Sequence, residues 1–142
     1  MEEYYFENTN GSFKISDVKI YDLKYSNNAT CFVSISSGMF KGCSDLEIDI
    51  ADLAQFAIDL KYLHEKLYGR TTFKETFGHS FIEVNADGKG HFKFSGVLIY
   101  NYGIHMERNK LEFEFYSDQT EIAGFVNKLY KDFAPYLKST DK

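Results

Sequence analysis

The order of hydrophobic patterns limits the fold of this chain more than any other feature of its sequence. Short segments of alternating apolar and polar residues lead into a segment of helical spacing at about residues 53–68. Four more alternating segments follow, and a second helical segment opens at Asp118. Strands and helices that come in separate runs are typical of α+β domains. We therefore expect an α+β fold in which an antiparallel β-sheet of about six to eight strands is packed on one face by two amphipathic α-helices.

The first helix is predicted from a single apolar stripe. Large apolar side chains recur at alternating three- and four-residue intervals, at Leu53, Phe56, Leu60, Leu63 and Leu67. One such stripe suits a helix that lies on one face of a sheet. We expect Asp49 or Asp52 to cap the start of this helix and Gly69 to cap its end.

The second helix has its own start and stop signals. Asp118 is expected to be the N-cap, and Glu121, three residues later, completes a capping box. The apolar face that follows comprises Ile122, Phe125, Val126, Leu129 and Phe133. Pro135 lacks the backbone N–H that would continue the hydrogen-bond ladder, so we expect the helix to end there.

Alternation with a period of two predicts the strands. We expect them at residues 13–16, 18–24, 30–36, 71–77, 81–86, 91–100 and 110–116, with one more ending at residue 50. A two-residue turn at Ser37-Gly38 would place Val33 opposite Gly42 and Ile35 opposite Phe40, which pairs apolar with apolar positions.

Glycines indicate two further local features. Asp87-Gly88-Lys89-Gly90 has the residues of a hairpin turn that needs positive φ angles. Gly96 is expected to mark a β-bulge, because the apolar positions change parity there, from Phe92 and Phe94 to Val97.

Length and charge limit the class of protein. The 142 residues fit one domain over 1–142, with residues 1–10 and 138–142 expected to be loose. The start is acidic, unlike a secretory signal, and no segment reaches the roughly 18 apolar residues that a membrane helix needs. A net charge of −5 disfavours nucleic-acid binding. We expect a cytoplasmic protein, a monomer or weak dimer, with neither membrane nor nucleic acid as a partner.

The residues that carry chemistry show no catalytic or metal-binding arrangement. None of the four histidines lies three or four residues from another histidine or a cysteine, so zinc spacing is absent. Cys31 shares an apolar face with Val33 and Ile35, whereas Cys43 has the opposite parity, so a disulfide between them is disfavoured. We expect free thiols, no catalytic residue, no metal and no cofactor.

Carboxylates on alternate strand positions form the one surface with functional promise. Asp45, Glu47 and Asp49 point away from one apolar face, and Glu112 and Glu114 point away from another. If the helices cover the other side, one sheet would present these five carboxylates to solvent. The plainer interpretation is a solvated face that lysines neutralise in weak surface pairs.

Several segments together resemble the WapI-like immunity proteins of bacteria. The matching segments are Cys31-Phe32-Val33-Ser34-Ile35, the strand into Asp52-Leu53-Ala54-Gln55-Phe56 with Leu60 and Leu63, the Asp87-Gly88-Lys89-Gly90 hairpin with the alternating strand after it, and Leu111-Glu112-Phe113-Glu114-Phe115-Tyr116-Ser117-Asp118-Gln119-Thr120. The resemblance covers about residues 30–133. It rests on spacing and on the Asp-Gln-Thr helix start.

This resemblance implies a non-enzymatic inhibitor made beside a polymorphic toxin of contact-dependent growth inhibition. Such a protein binds the C-terminal domain of its cognate toxin, and these toxins are often nucleases with basic grooves. An acidic inhibitor can block such a groove. The resemblance assigns no contact residues. From the shared parity of the acidic strand positions, we expect the toxin to contact Asp45, Glu47, Asp49, Glu112 and Glu114, with Tyr116 as an aromatic anchor.

Two other functions remain open at this stage. A small ligand-binding or hydrolase domain could have a pocket between sheet and helices, lined by His79, His91, His105 and Glu83. A homodimeric module could pair through an exposed edge strand.

Overall fold

The structure is a computed structural model that describes residues 2–21, 26–102, 104–105 and 107–140. Within these residues the elements are β1 Glu3–Glu7, β2 Gly11–Ile20, β3 Asn28–Ser37, β4 Phe40–Asp49, α1 Ile50–Lys66, β5 Tyr68–Lys74, β6 Phe81–Asp87, β7 His91–Tyr102, β8 Glu107–Asp118 and α2 Gln119–Thr140. The strands form two antiparallel sheets of four, in the orders β1-β2-β3-β4 and β5-β6-β7-β8.

The α+β class is confirmed, but the strands do not form the single sheet that was expected. α1 lies between β4 and β5 in the chain and packs against β5, while α2 packs against β1. The two helices also contact each other, and His64 Nε2 lies 2.8 Å from the backbone oxygen of Gln119. The two sheets also contact each other directly, since β4 contacts β7 and the Ser44 hydroxyl donates a hydrogen bond of 2.9 Å to the backbone oxygen of Ile99.

One core joins both sheets and both helices. Phe6 of β1 packs against Phe94 of β7 at 4.8 Å between ring centroids and against Phe125 of α2 at 5.4 Å. Phe56 of α1 stacks on Phe73 of β5 at 5.4 Å. The apolar stripes predicted for the two helices are buried in this core, except that Leu67 is only partly buried.

Local capping signals locate the helix starts. The Asp49 carboxylate accepts a hydrogen bond from the N–H of Ala51 at 2.7 Å, so Asp49 is the N-cap of α1 and Asp52 is not. The predicted end is wrong: Leu67, in a left-handed conformation with φ 63°, caps α1, and Gly69 already belongs to β5.

The capping box of α2 is confirmed in both directions. The N–H of Glu121 donates to Asp118 Oδ1 at 2.8 Å, and the N–H of Asp118 donates to Glu121 Oε1 at 3.1 Å. Pro135, however, lies inside the helix, which continues to Thr140. Its missing N–H removes one backbone hydrogen bond of the helix, the one to the carbonyl of Lys131, without ending the helix.

The N-terminal strands differ from the expectation. Residues 3–7 form an edge strand instead of a loose end, because Tyr4 and Phe6 are buried in the core. β2 is one strand, and the break expected near residue 17 is a register irregularity at Asp17, whose φ is 53°. Residues 22–24 of the second predicted strand lie outside the described residues.

The hairpin between β3 and β4 turns one residue later than expected. Ser37 lies opposite Phe40, Ile35 opposite Gly42 and Val33 opposite Ser44, so the turn residues are Gly38 and Met39. Gly38 has a φ of 61°, which suits the first central residue of a tight hairpin turn. The same side chains still face the core, because this shift preserves their parity.

Gly96 does not mark a bulge. It lies opposite both Ile82 and Phe113 in an uninterrupted ladder, and buried Leu98 keeps the parity of Phe92 and Phe94. A side chain at Gly96 would collide with the backbone oxygen of Phe81. Close approach of two backbones, rather than an extra residue, therefore explains this glycine.

Candidate functional site

The six residues expected to contact a partner lie on two strands of different sheets. Asp45 and Glu47 are exposed on the outward side of β4, and Glu112, Glu114 and Tyr116 are exposed on the outward side of β8. Asp49, at the end of β4, is half-buried and caps α1, so its carboxylate is occupied within the protein. The single acidic sheet face expected from the sequence is thus divided in two.

The carboxylates of β8 have lysine partners. Lys110 Nζ lies 3.1 Å from Glu112, and Lys93 Nζ lies 3.9 Å from Glu114. These exposed pairs are weak, but they reduce the negative charge of the β8 surface. The neutralised face that was the plainer interpretation of the sequence occurs here.

The carboxylates of β4 differ in this respect. Among the described residues, no ion pair includes Asp45 or Glu47. The backbone oxygen of Glu47 accepts two hydrogen bonds from Thr76, one from its N–H at 2.7 Å and one from Oγ1 at 2.9 Å. These bonds hold the loop between β5 and β6 against β4.

That loop presents an aromatic side chain to solvent. The Glu75 carboxylate accepts hydrogen bonds from the N–H groups of Phe77, at 3.1 Å, and His79, at 2.6 Å. The N–H of Glu75 donates in turn to the backbone oxygen of Ser80 at 3.0 Å. Phe77 lies at the centre of this hydrogen-bonded loop, and its side chain is nevertheless 68% exposed.

Sequence reasoning missed this feature because it extended the strand through residue 77. β5 ends at Lys74. The only local signal for an earlier end was Gly78 directly after Phe77, with a φ of 77° in the structure. No period-two pattern distinguishes an exposed loop aromatic from a strand residue.

Two grooves lie beside Phe77. The first, of about 510 Å³, is lined by residues of β4, of the loop and of the end of β7, including Asp45, Glu47, Glu75 and His79. The second, of about 480 Å³, is lined by residues of β3, β4 and the loop, and Glu47 and Phe77 line it too. We call Asp45, Glu47, Glu75 and Phe77 the Phe77 surface.

A larger groove of about 620 Å³ lies between β2 and the second half of α2. Beside it, the Tyr4 hydroxyl donates a hydrogen bond of 2.7 Å to Asp132 Oδ2. Burial, together with this hydrogen bond and the charge of Asp132, raises the pKa of Tyr4 above its ordinary value. The bond joins β1 to α2 across the sequence, so we interpret it as structural.

The residues proposed for a ligand pocket do not come together. His79 lines the first groove, but His91 Nδ1 lies 2.9 Å from Asp87 at a hairpin, and Glu83 bonds to Asn85 at 2.9 Å. The backbone N–H of Lys89, and then His91, hold the pKa of Asp87 below its usual range. Exposed His105 lies in the turn between β7 and β8.

The titratable side chains and the two helices bear on metal binding and membrane insertion. No three His, Cys, Asp or Glu side chains are placed to hold a metal ion in the part of the chain that the structure describes. In the same part of the chain, neither helix is long and apolar enough to cross a membrane. Cys31 is buried and Cys43 is exposed, and both are free thiols, as their parity predicted.

Comparison with known proteins identifies the family. No curated protein matches the chain. The model of the immunity protein WapI-like family matches residues 4–137, which is nearly the whole chain and extends beyond the segments that carried the resemblance. The match includes both sheets and most of α2. The chain therefore belongs to the immunity protein WapI-like family.

Proposed function

We propose that this protein binds the C-terminal domain of a cognate bacterial toxin and neutralises it by a stoichiometric protein–protein interaction. The observation that carries the proposal is the family match over residues 4–137. In this proposal the protein is not an enzyme and acts in the cytoplasm of the producing cell. It protects that cell and its siblings from a toxin of contact-dependent growth inhibition.

The charge of the chain supports a basic partner. At a net charge of −5, the protein attracts a positively charged surface such as the substrate groove of a nuclease. Complementary potentials of this kind raise association rates toward about 10⁸–10⁹ M⁻¹s⁻¹ at low salt. A nuclease toxin is therefore the partner class that the composition fits best.

The contact surface belongs to the proposal as well. The candidates are the outward carboxylates of β4 and β8, namely Asp45, Glu47, Glu112 and Glu114, with Tyr116 as an anchor that is 53% exposed. A standard interface buries roughly 1,200–2,000 Å² in total, so these residues supply only part of it. Asp45 and Glu47 form no ion pair with any residue that the structure describes, which favours the β4 side.

Co-expression tests the function. The protein is produced in bacteria together with the toxin domain encoded beside its own gene, and growth and co-purification are measured. We expect growth to be rescued and the two proteins to purify as a complex of one copy each. A non-cognate toxin domain is the control and should remain lethal. Continued killing by the cognate toxin, with no complex recovered, would refute the proposal.

A further inference from the structure

Phe77 is an exposed aromatic residue on a loop that hydrogen bonds hold in place. Phe77 is 68% exposed, yet Glu75 accepts hydrogen bonds from two N–H groups of its loop and Thr76 is bonded to Glu47. A large apolar side chain on a preorganised loop loses little conformational freedom when a partner covers it. Aromatic residues with these properties are enriched among binding hot spots.

The grooves beside Phe77 are negatively charged. The Glu75 carboxylate is bonded to backbone N–H groups, and no ion pair among the described residues includes Asp45, Glu47 or Glu75. All three line the first groove, and Glu47 also lines the second. A partner that fits here must offer an apolar pocket for Phe77 with cationic side chains on its sides.

We propose that the toxin docks on the Phe77 surface. Phe77 enters an apolar pocket of the toxin, and lysine or arginine side chains beside that pocket enter the two grooves and pair with Asp45 and Glu47. This inference rests on the proposed function, because it names the surface through which the toxin is bound. The carboxylates of β8, already paired with Lys93 and Lys110, lie outside the centre of the contact.

A second copy of this chain fits the surface poorly. A two-fold contact brings the same patch of both copies together, so Asp45 and Glu47 of one copy would face those of the other. Like charges in such a contact repel, whereas a basic toxin surface reverses the sign of the interaction. Charge complementarity therefore selects the toxin as the occupant.

Binding of a catalytically inactivated toxin domain to matched variants tests the inference. Phe77→Ala should raise Kd at least about 30-fold, mainly through faster dissociation. Glu47→Lys should slow association about tenfold at low salt and flatten its salt dependence. The aromatic control is Tyr62→Ala, since Tyr62 is 59% exposed on α1. The charge control is Glu65→Lys, at an exposed carboxylate of α1 that pairs with Lys61. Glu112→Lys, on the outward side of the other sheet, is the variant that tests the competing β8 surface. Both controls should bind within about twofold of the parent protein.

The outcomes separate this inference from the proposed function. If the parent protein does not bind the toxin, both fail. If the parent binds and both Phe77→Ala and Glu47→Lys bind equally well, this inference fails and the immunity function stands. Selective weakening by Glu112→Lys would place the toxin on β8 instead. If light scattering finds a dimer of the free protein that Phe77→Ala dissociates, the surface belongs to a second copy and the inference is overturned.

Discussion

At the scale of single residues, the two cysteines have opposite environments. Cys31 is buried between strands of the first sheet, and burial, with a smaller contribution from Asp45, raises the pKa of its thiol to about 12. The thiolate is the reactive form, so Cys31 is inert in the folded protein. Cys43 is exposed on β4.

Titration with a thiol reagent tests this difference. At pH 8 the folded protein should react rapidly at one thiol, and the unfolded protein should react at two. Cys43→Ser should abolish the rapid reaction, whereas Cys31→Ser should preserve it. Rapid labelling of both thiols in the folded state would mean that the core around Cys31 is open.

Tyr4 supplies a residue-scale test that depends on pH. Its hydroxyl donates to half-buried Asp132 at 2.7 Å, so Tyr4→Phe should cost about 1 kcal/mol of unfolding free energy at pH 7. The pKa of Tyr4 is raised in the folded state. Its contribution is therefore fully present below the unfolded tyrosine pKa of about 10 and is lost as pH rises above it.

Urea denaturation of the parent and Tyr4→Phe at several pH values provides the measurement. The stability difference should be constant from pH 7 to 9 and should shrink above about pH 10. The other tyrosines cancel in this comparison because both proteins contain them. A difference that grows with alkaline pH would contradict the assigned hydrogen bond.

At the scale of elements, alanine substitutions at two glycines should change the unfolding free energy in opposite directions. Gly96, with a φ of 153°, has no room for a side chain beside the backbone of Phe81, so Gly96→Ala should cost at least about 2 kcal/mol. Gly124 lies in α2 with open space around it, so Gly124→Ala should add about 0.5–1 kcal/mol. Thermal unfolding of both variants measures the two effects. A Gly96→Ala variant as stable as the parent would mean that β6 and β7 are farther apart than described.

The same elements indicate which features a sequence can predict. The cap of Asp118 was predicted, and Asp49 was one of the two caps predicted for α1, because a cap involves residues only two or three positions apart. The apolar stripes were predictable because burial imposes its period along one helix. The turn at Gly38 was predicted one residue too early. Moving a two-residue turn by one position shifts the strand pairing by two residues, so both pairings bury the same side chains.

Features that depend on distant parts of the chain were not predictable. The division into two sheets depends on which strands pair with each other over the whole chain, and no local pattern encodes it. Asp45, Glu47, Glu112 and Glu114 were correctly predicted to be exposed, whereas Asp49 is half-buried. Asp45 and Glu112 were assigned to one face because parity does not distinguish one sheet from two. Phe77 was missed because its loop depends on hydrogen bonds from Thr76 to β4.

At the scale of the whole molecule, the shared core implies cooperative unfolding. Phe125 of α2 contacts Phe6 and Phe13 of the first sheet, and Phe6 contacts Phe94 of the second. Phe125→Ala should therefore cost about 3–5 kcal/mol while unfolding remains a single transition. Calorimetry checks both points. Two separate transitions would show that the sheets unfold independently.

In the proposed function, the protein inhibits its toxin by binding to it, one molecule for each toxin. The most direct measurement is a titration of the active toxin domain, at a concentration well above Kd, with increasing amounts of this protein. Toxin activity should fall linearly and vanish at one molar equivalent. Undiminished activity at a large excess would contradict inhibition by binding, and complete loss of activity at a small fraction of an equivalent would indicate catalytic inactivation instead.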